Sequence, residues 1–137
     1  MNFDQKQVYG IELILDLYGC NVRTFNRIAI EKCFIELCDL IEMERCDLHF
    51  WDDIGVSEEE RQTNPMTIGT SAVQFILTST IVIHTLEVLR SAYINVFSCK
   101  EFDSQAATEF LVRWFEASEW SAREIERELR LELGREV

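Results

Sequence analysis

Residues 69–99 read GTSAVQFILTSTIVIHTLEVLRSAYINVFSC, and the fold turns on this stretch. From Ser71 the side chains alternate, with Val73, Phe75 and Leu77 on one side and Ala72, Gln74 and Ile76 on the other, the period-2 pattern of a strand. Residues 81–85 are again β-branched around His84, and 93–97 make a further strand that ends at Ser98-Cys99. Thr78-Ser79-Thr80 marks the bend between the first two runs. Four reactive side chains, Ser71, Ser79, His84 and Cys99, share the stretch. Each is a type that serves as acid, base or nucleophile, and a small sheet is expected to bring them together.

Upstream, Val8–Tyr18 places Ile11, Leu13, Leu15 and Leu17 on alternating positions, with Asp16 and Tyr18 on the opposite face. Gly19-Cys20-Asn21 supplies a turn and a candidate N-cap. Ile30, Cys33, Phe34, Leu37, Cys38 and Ile41 then recur every three to four residues, which predicts an amphipathic helix of roughly 20 residues with Cys33 and Cys38 in the core. CDLHFW at 46–51 reads as a strand, and 52–70, with the only proline, as a long exposed loop whose EEER run is a solvated face.

Downstream, Asp103 or Ser104 can cap a second helix with Ala107, Phe110, Leu111 and Trp114 on one face. The tail, 119–137, reads both ways: Ile125, Leu129 and Leu133 keep helical spacing, while Ile125-Glu126-Arg127 and Leu129-Arg130-Leu131 alternate like a strand. The order strand, helix, four strands, helix, tail predicts an α+β fold, a two-layer sandwich whose mainly antiparallel sheet is covered on one face by two helices. The other face is left for a partner or a substrate.

A chain of 137 residues suits one domain, 1–137, with a real core. The net charge of −12 opposes phosphate neutralisation and argues against nucleic acid. MNFDQKQVYG lacks the basic and apolar regions of a secretory signal, and no apolar run approaches the ~18 residues of a membrane span. Five cysteines, an odd number without a CxxC pair, indicate neither a zinc site nor a disulfide framework, so a reducing cytoplasm is the expected compartment.

Leu15-Asp16-Leu17-Tyr18-Gly19-Cys20, then Ser71, then Ser79 ahead of Ile81-Val82-Ile83-His84-Thr85, then Val96-Phe97-Ser98-Cys99, together resemble the small prokaryotic S-adenosylmethionine decarboxylases. The likeness runs from about residue 9 to about residue 115, and the separations of 8 (Ser71 to Ser79), 5 (Ser79 to His84) and 15 (His84 to Cys99) fit the family. Taken singly, such a serine is usually a turn residue, such a histidine structural and such a cysteine core; it is the joint spacing that favours function.

The resemblance implies a pyruvoyl enzyme of spermidine synthesis that cuts itself. Ser79 would attack the Thr78 carbonyl to give an ester, and β-elimination would leave a pyruvoyl group on the new N-terminus, separating residues 1–78 from 79–137. Ser71 would polarise the attacked carbonyl, His84 would take the Cα proton, and Cys99 would reprotonate the product. The pyruvoyl carbonyl would take S-adenosylmethionine as a Schiff base and act as electron sink. Trp51 or Phe50 would match the aromatic that stacks on adenine. Family members usually pair as dimers, so a homodimer is expected.

The chain departs from the family in three places. Thr78-Ser79-Thr80 stands where Glu-Ser-His is typical, Asn95 stands where an aspartate precedes Val-Phe, and Leu86-Glu87-Val88 stands where Trp-Pro-Glu is usual. The last change puts Val88 at the position of the ribose-binding carboxylate and makes Glu87 its nearest substitute. These departures mark a divergent member. They keep two other readings open: an unprocessed, inactive homologue acting as a binding or regulatory partner, and a pyruvoyl decarboxylase of another amino acid such as ornithine or arginine.

Overall fold

In the computed structural model, which describes residues 7–131, alternation becomes a six-stranded antiparallel sheet. The elements are β1 (Val8–Tyr18), α1 (Arg27–Leu40), β2 (Arg45–Trp51), β3 (Ser71–Ile76), β4 (Ser79–Leu86), β5 (Ser91–Ser98), α2 (Ser104–Trp114) and β6 (Glu119–Glu128). Their order in the sheet is β2-β3-β4-β5-β1-β6. The expected α+β two-layer sandwich is the fold observed.

One face of the sheet is apolar throughout: Leu13, Leu15 and Leu17 of β1, Ala72 and Ile76 of β3, Ile81 and Ile83 of β4, and Ala92, Ile94 and Val96 of β5 are all buried. Against it α1 buries Ile30, Cys33, Phe34, Leu37 and Cys38, and α2 buries Ala107 and Leu111. The largest of these, Phe34, is fully buried, and each such aliphatic or aromatic side chain contributes about 1.5–3 kcal/mol of transfer free energy. The polar exceptions on this face are Thr85, Ser98 and, largest of them, Gln74, which is buried but satisfied. Its Nε2 donates to the carbonyls of Cys46 and Phe75, and its Oε1 accepts from Arg45 Nε at 3.0 Å.

The structure departs from the sequence reading, or decides what it left open, at three points. The first helix is 14 residues long, because Asn21 caps a short 3-10 turn at Val22–Thr24 and a second asparagine, Asn26, starts α1 by accepting from Ala29 N at 2.9 Å. The tail from Glu119 to Glu128 is a strand, paired with β1 from Val8↔Glu128 to Tyr18↔Glu119. It is exposed along its whole length, so an uncovered edge explains why its apolar positions follow neither period cleanly. Leu133 lies outside the described residues. Third, β4 stops at Leu86 and residues 87–90 form a turn, so Glu87 and Val88 are not strand positions. Asp103 caps α2 as expected, accepting from Ala106 N at 3.0 Å. Among the described residues no helix is long and apolar enough to cross a membrane.

Candidate active site

The face of the sheet away from the helices carries the chemistry. Pairing aligns Trp51 with Ser71, Ser71 with His84, His84 with Tyr93, and Tyr93 with Asp16, so these side chains stand in one row across five strands. Within the row Ser71 Oγ lies 2.8 Å from His84 Nδ1, a hydrogen bond that fixes the ring and leaves Nε2 for a further partner.

The backbone around this pair is tightly closed. Thr85 Oγ1 donates to Thr70 O at 2.8 Å and accepts from Thr70 N at 2.9 Å, while Thr85 N donates to the same carbonyl at 3.0 Å. Gly69 makes that approach possible, because a Cβ there would stand 2.6 Å from the Thr85 carbonyl carbon. The loop before β3 is folded on itself: Asn64 Oδ1 accepts from Met66 N, and Asn64 O accepts from Thr67 N and Ile68 N. Loop and sheet enclose a cleft of ≈ 470 Å³ lined by Trp51, Asp53, Met66, Ser71, His84 and Tyr93 among others.

Ser79 and Cys99 are elsewhere. The five-residue step from Ser79 to His84 spans about 16 Å along a strand, and an odd step puts regular side chains on opposite faces. One chain therefore does not bring the four reactive residues together; Ser71 and His84 pair at one end of β4, while at the other Cys99 meets Thr78, the residue before Ser79. At the second end Cys99 Sγ lies 2.8 Å from Thr78 Oγ1 and donates to Thr78 O at 3.5 Å. The thiol thus sits on the carbonyl that precedes Ser79, and both Thr78 and Cys99 are exposed.

The expected substrate contacts divide in the same way. Trp51 is 74% exposed and lines the cleft, so its ring is available for stacking. Phe50 is not: as the neighbour of Trp51 in a strand it pairs with Ala72 on the helix side, where Arg27 lies 5.7 Å from its ring centre. Glu87 is exposed in the β4–β5 turn, where its N–H donates to Ile68 O, and it does not line the cleft.

Sequence reasoning passed over Asp52 and Asp53, which follow Trp51 directly and enter the cleft wall. Asp52 takes a bidentate bond from Arg27, Nε at 2.6 Å and Nη2 at 2.7 Å, and that hydrogen bond holds its carboxyl below the usual carboxylate range. The signal in the sequence was the paired acids at the end of an aromatic strand. Burial pushes the Cys20 thiol up to about 11, and burial, opposed by Arg45 and aided by Asp39, does the same for Cys38. That suits packing rather than nucleophilic work. All five cysteines are free.

The chain matches the model of a family described as S-adenosylmethionine decarboxylase over residues 11–128. The crystal structure of the adenosylmethionine decarboxylase from Aquifex aeolicus VF5 superposes with a TM-score of 0.70 at 18% identity, covering 92% of this chain and 96% of that one, a likeness of fold. No curated protein matches the sequence.

Proposed function

Because the chain belongs to the S-adenosylmethionine decarboxylase family, we propose that it is a self-processing carboxy-lyase acting on S-adenosylmethionine in polyamine synthesis, one unit of residues 1–137 cut between Thr78 and Ser79. The observation that carries this reading is the Cys99 thiol, donating at 3.5 Å to the Thr78 carbonyl oxygen. A donor on that oxygen is what attack by Ser79 Oγ requires, since it stabilises the negative charge that develops there. The attack breaks the Thr78–Ser79 C–N bond and forms an ester. Removal of the Ser79 Cα proton then expels Thr78 as a carboxylate, and water releases ammonia from the remaining dehydroalanine to leave the pyruvoyl group. Threonine before the cut keeps the carbonyl, and its hydroxyl holds the thiol in place at 2.8 Å.

The pyruvoyl group supplies an electrophilic carbonyl that accepts the electron pair of the breaking carbon–carboxylate bond. Cys99, already at the new chain ends, returns the proton. Trp51 stacks on the base of the substrate in the cleft.

His84 and Ser71 act from a second copy of the chain. The uncovered sheet face presents Phe75, Leu77 and Tyr93 exposed, with Ile14, Val73, Val82 and Phe97 half-buried around Asn95, whose amide donates to Glu12, a largely apolar surface that suits a like partner. In a two-fold arrangement centred on β4, the Ser71–His84 end of one copy meets the exposed Thr78–Cys99 end of the other, beside the cut, twice. The separation of about 16 Å within one strand supports this division of labour.

The test is release of carbon dioxide from carboxyl-labelled S-adenosylmethionine, ornithine and arginine. Release from S-adenosylmethionine is expected. Release only from an amino acid would overturn the substrate, and release from none would leave an inactive homologue.

A further inference from the structure

We propose that Asp53 is the cation-binding group of the cleft at the Ser71–His84 end, and that this cleft selects a ligand carrying an organic sulfonium or ammonium charge. The inference rests on the proposed function for the identity of that ligand, while the site itself is argued from the cleft.

Two carboxylates line the cleft, and only one keeps its charge uncompensated. Both oxygens of Asp52 are engaged by the Arg27 guanidinium, and Oδ1 also accepts from Ile54 N at 3.0 Å. Its side chain is 6% exposed. Asp53 differs in each respect. Its Oδ2 accepts from Gln62 N at 3.0 Å, and its backbone carbonyl accepts from Val56 N at 3.1 Å, so the loop pins it. Among the described residues Oδ1 accepts no hydrogen bond, and no lysine or arginine nitrogen lies within 4.0 Å of the carboxylate. A half-buried carboxylate with one oxygen unused leaves a place for a cation on the cleft wall.

The rest of the wall fits the same ligand. Beyond Trp51, which takes the base, Tyr93 presents a second aromatic ring, and cations are attracted to ring faces as well as to carboxylates. Met66 and Thr67 add no charge. Asp53→Asn keeps the acceptor for Gln62 N, so the loop retains its fold while the charge is lost.

The test uses the full chain in a Ser79→Ala background, so that no ligand is consumed, and follows the Trp51 indole N–H signal by NMR. Three probes are titrated: S-adenosylmethionine, its uncharged relative 5′-methylthioadenosine, and S-methylmethionine, which keeps the sulfonium without the nucleoside. S-adenosylmethionine is expected to bind more tightly than 5′-methylthioadenosine. Asp53→Asn should weaken both sulfonium probes by roughly tenfold, the size of one charge-assisted contact, and leave 5′-methylthioadenosine unchanged. Glu60→Gln, in the same loop but outside the cleft wall, should change nothing. The proposal is overturned if no sulfonium probe moves the signal, if Asp53→Asn leaves all three probes unchanged or weakens them alike, or if Glu60→Gln has the same effect. Asp53-dependent binding of S-methylmethionine without nucleoside binding keeps the cation site and removes the S-adenosylmethionine reading. Nucleoside binding indifferent to Asp53 does the reverse.

Discussion

Replacing Gly69 by alanine should open the sheet at the end that holds Ser71 and His84. The added Cβ falls inside the van der Waals shell of the Thr85 carbonyl oxygen, 2.6 Å from its carbon and 3.1 Å from Oγ1. Carbon atoms rest at about 3.5–4.0 Å, so β4 and the entry to β3 must separate by roughly 1 Å. Overpacking of this kind costs about 1–3 kcal/mol. The same movement stretches the Thr70–Thr85 bonds and the bond from Glu87 N to Ile68 O at 3.0 Å, each worth about 1 kcal/mol net. With two of those lost, the total is about 3–5 kcal/mol, or a fall of roughly 2 M in the urea midpoint. Gly55→Ala is the control: Gly55 has φ +80° but nothing within 4 Å of a Cβ, so only the backbone penalty of about 1–2 kcal/mol applies. Urea unfolding followed by circular dichroism reads both. A midpoint shift for Gly69→Ala no larger than that for Gly55→Ala would refute the claim that close strand approach holds the Ser71–His84 pair.

Other predictions follow from the same geometry. Co-expressed Ser79→Ala and His84→Ala chains, each inactive alone, should recover about one quarter of wild-type activity, since half of the dimers are mixed and each carries one complete site. Ser71→Ala with His84→Ala should recover none, and equal recovery by both mixtures would contradict a site shared between copies. Trp51→Ala should leave the unfolding midpoint unchanged and weaken S-adenosylmethionine binding roughly three- to tenfold. Phe50→Ala should do the opposite, losing about 2 kcal/mol of stability with affinity retained, and the reverse pattern would show the strand faces to be misassigned. Asp52 is held below its ordinary pKa by Arg27, so its stabilisation is present above the unfolded carboxylate value and lost as pH falls through the lower folded one. The stability gap between wild type and Asp52→Asn should be full at neutral pH and close towards about pH 2; a gap independent of pH would rule out the ion pair as its source.

The strands were legible because burial on one face imposes period two: β1, β3, β4 and β5 each place aliphatics on alternate positions. β6 was not, because an exposed edge strand selects charges on both faces and its sheet neighbour, β1, is over a hundred residues away in sequence. The first helix was overestimated because Asn21 and Asn26 are both good caps, and which one starts the helix depends on the 3-10 turn between them. Spacing identified Ser71, Ser79, His84 and Cys99 but not their grouping. Register across β3–β4 joins Ser71 to His84, and the turn between those strands brings Thr78 to Cys99; neither follows from local pattern. The odd step from Ser79 to His84 did carry the information that one strand keeps them apart. Asp53 escaped notice because only the fold separates its free carboxylate from the paired one of Asp52.

The most direct test of the central claim is the intact mass of the purified protein under denaturing conditions. Self-processing predicts two fragments, residues 1–78 and 79–137, the second lighter by one ammonia than a simple hydrolytic cut would leave it, and Ser79→Ala should abolish the cut. A single species at the full 16.1 kDa from the wild-type chain would contradict it.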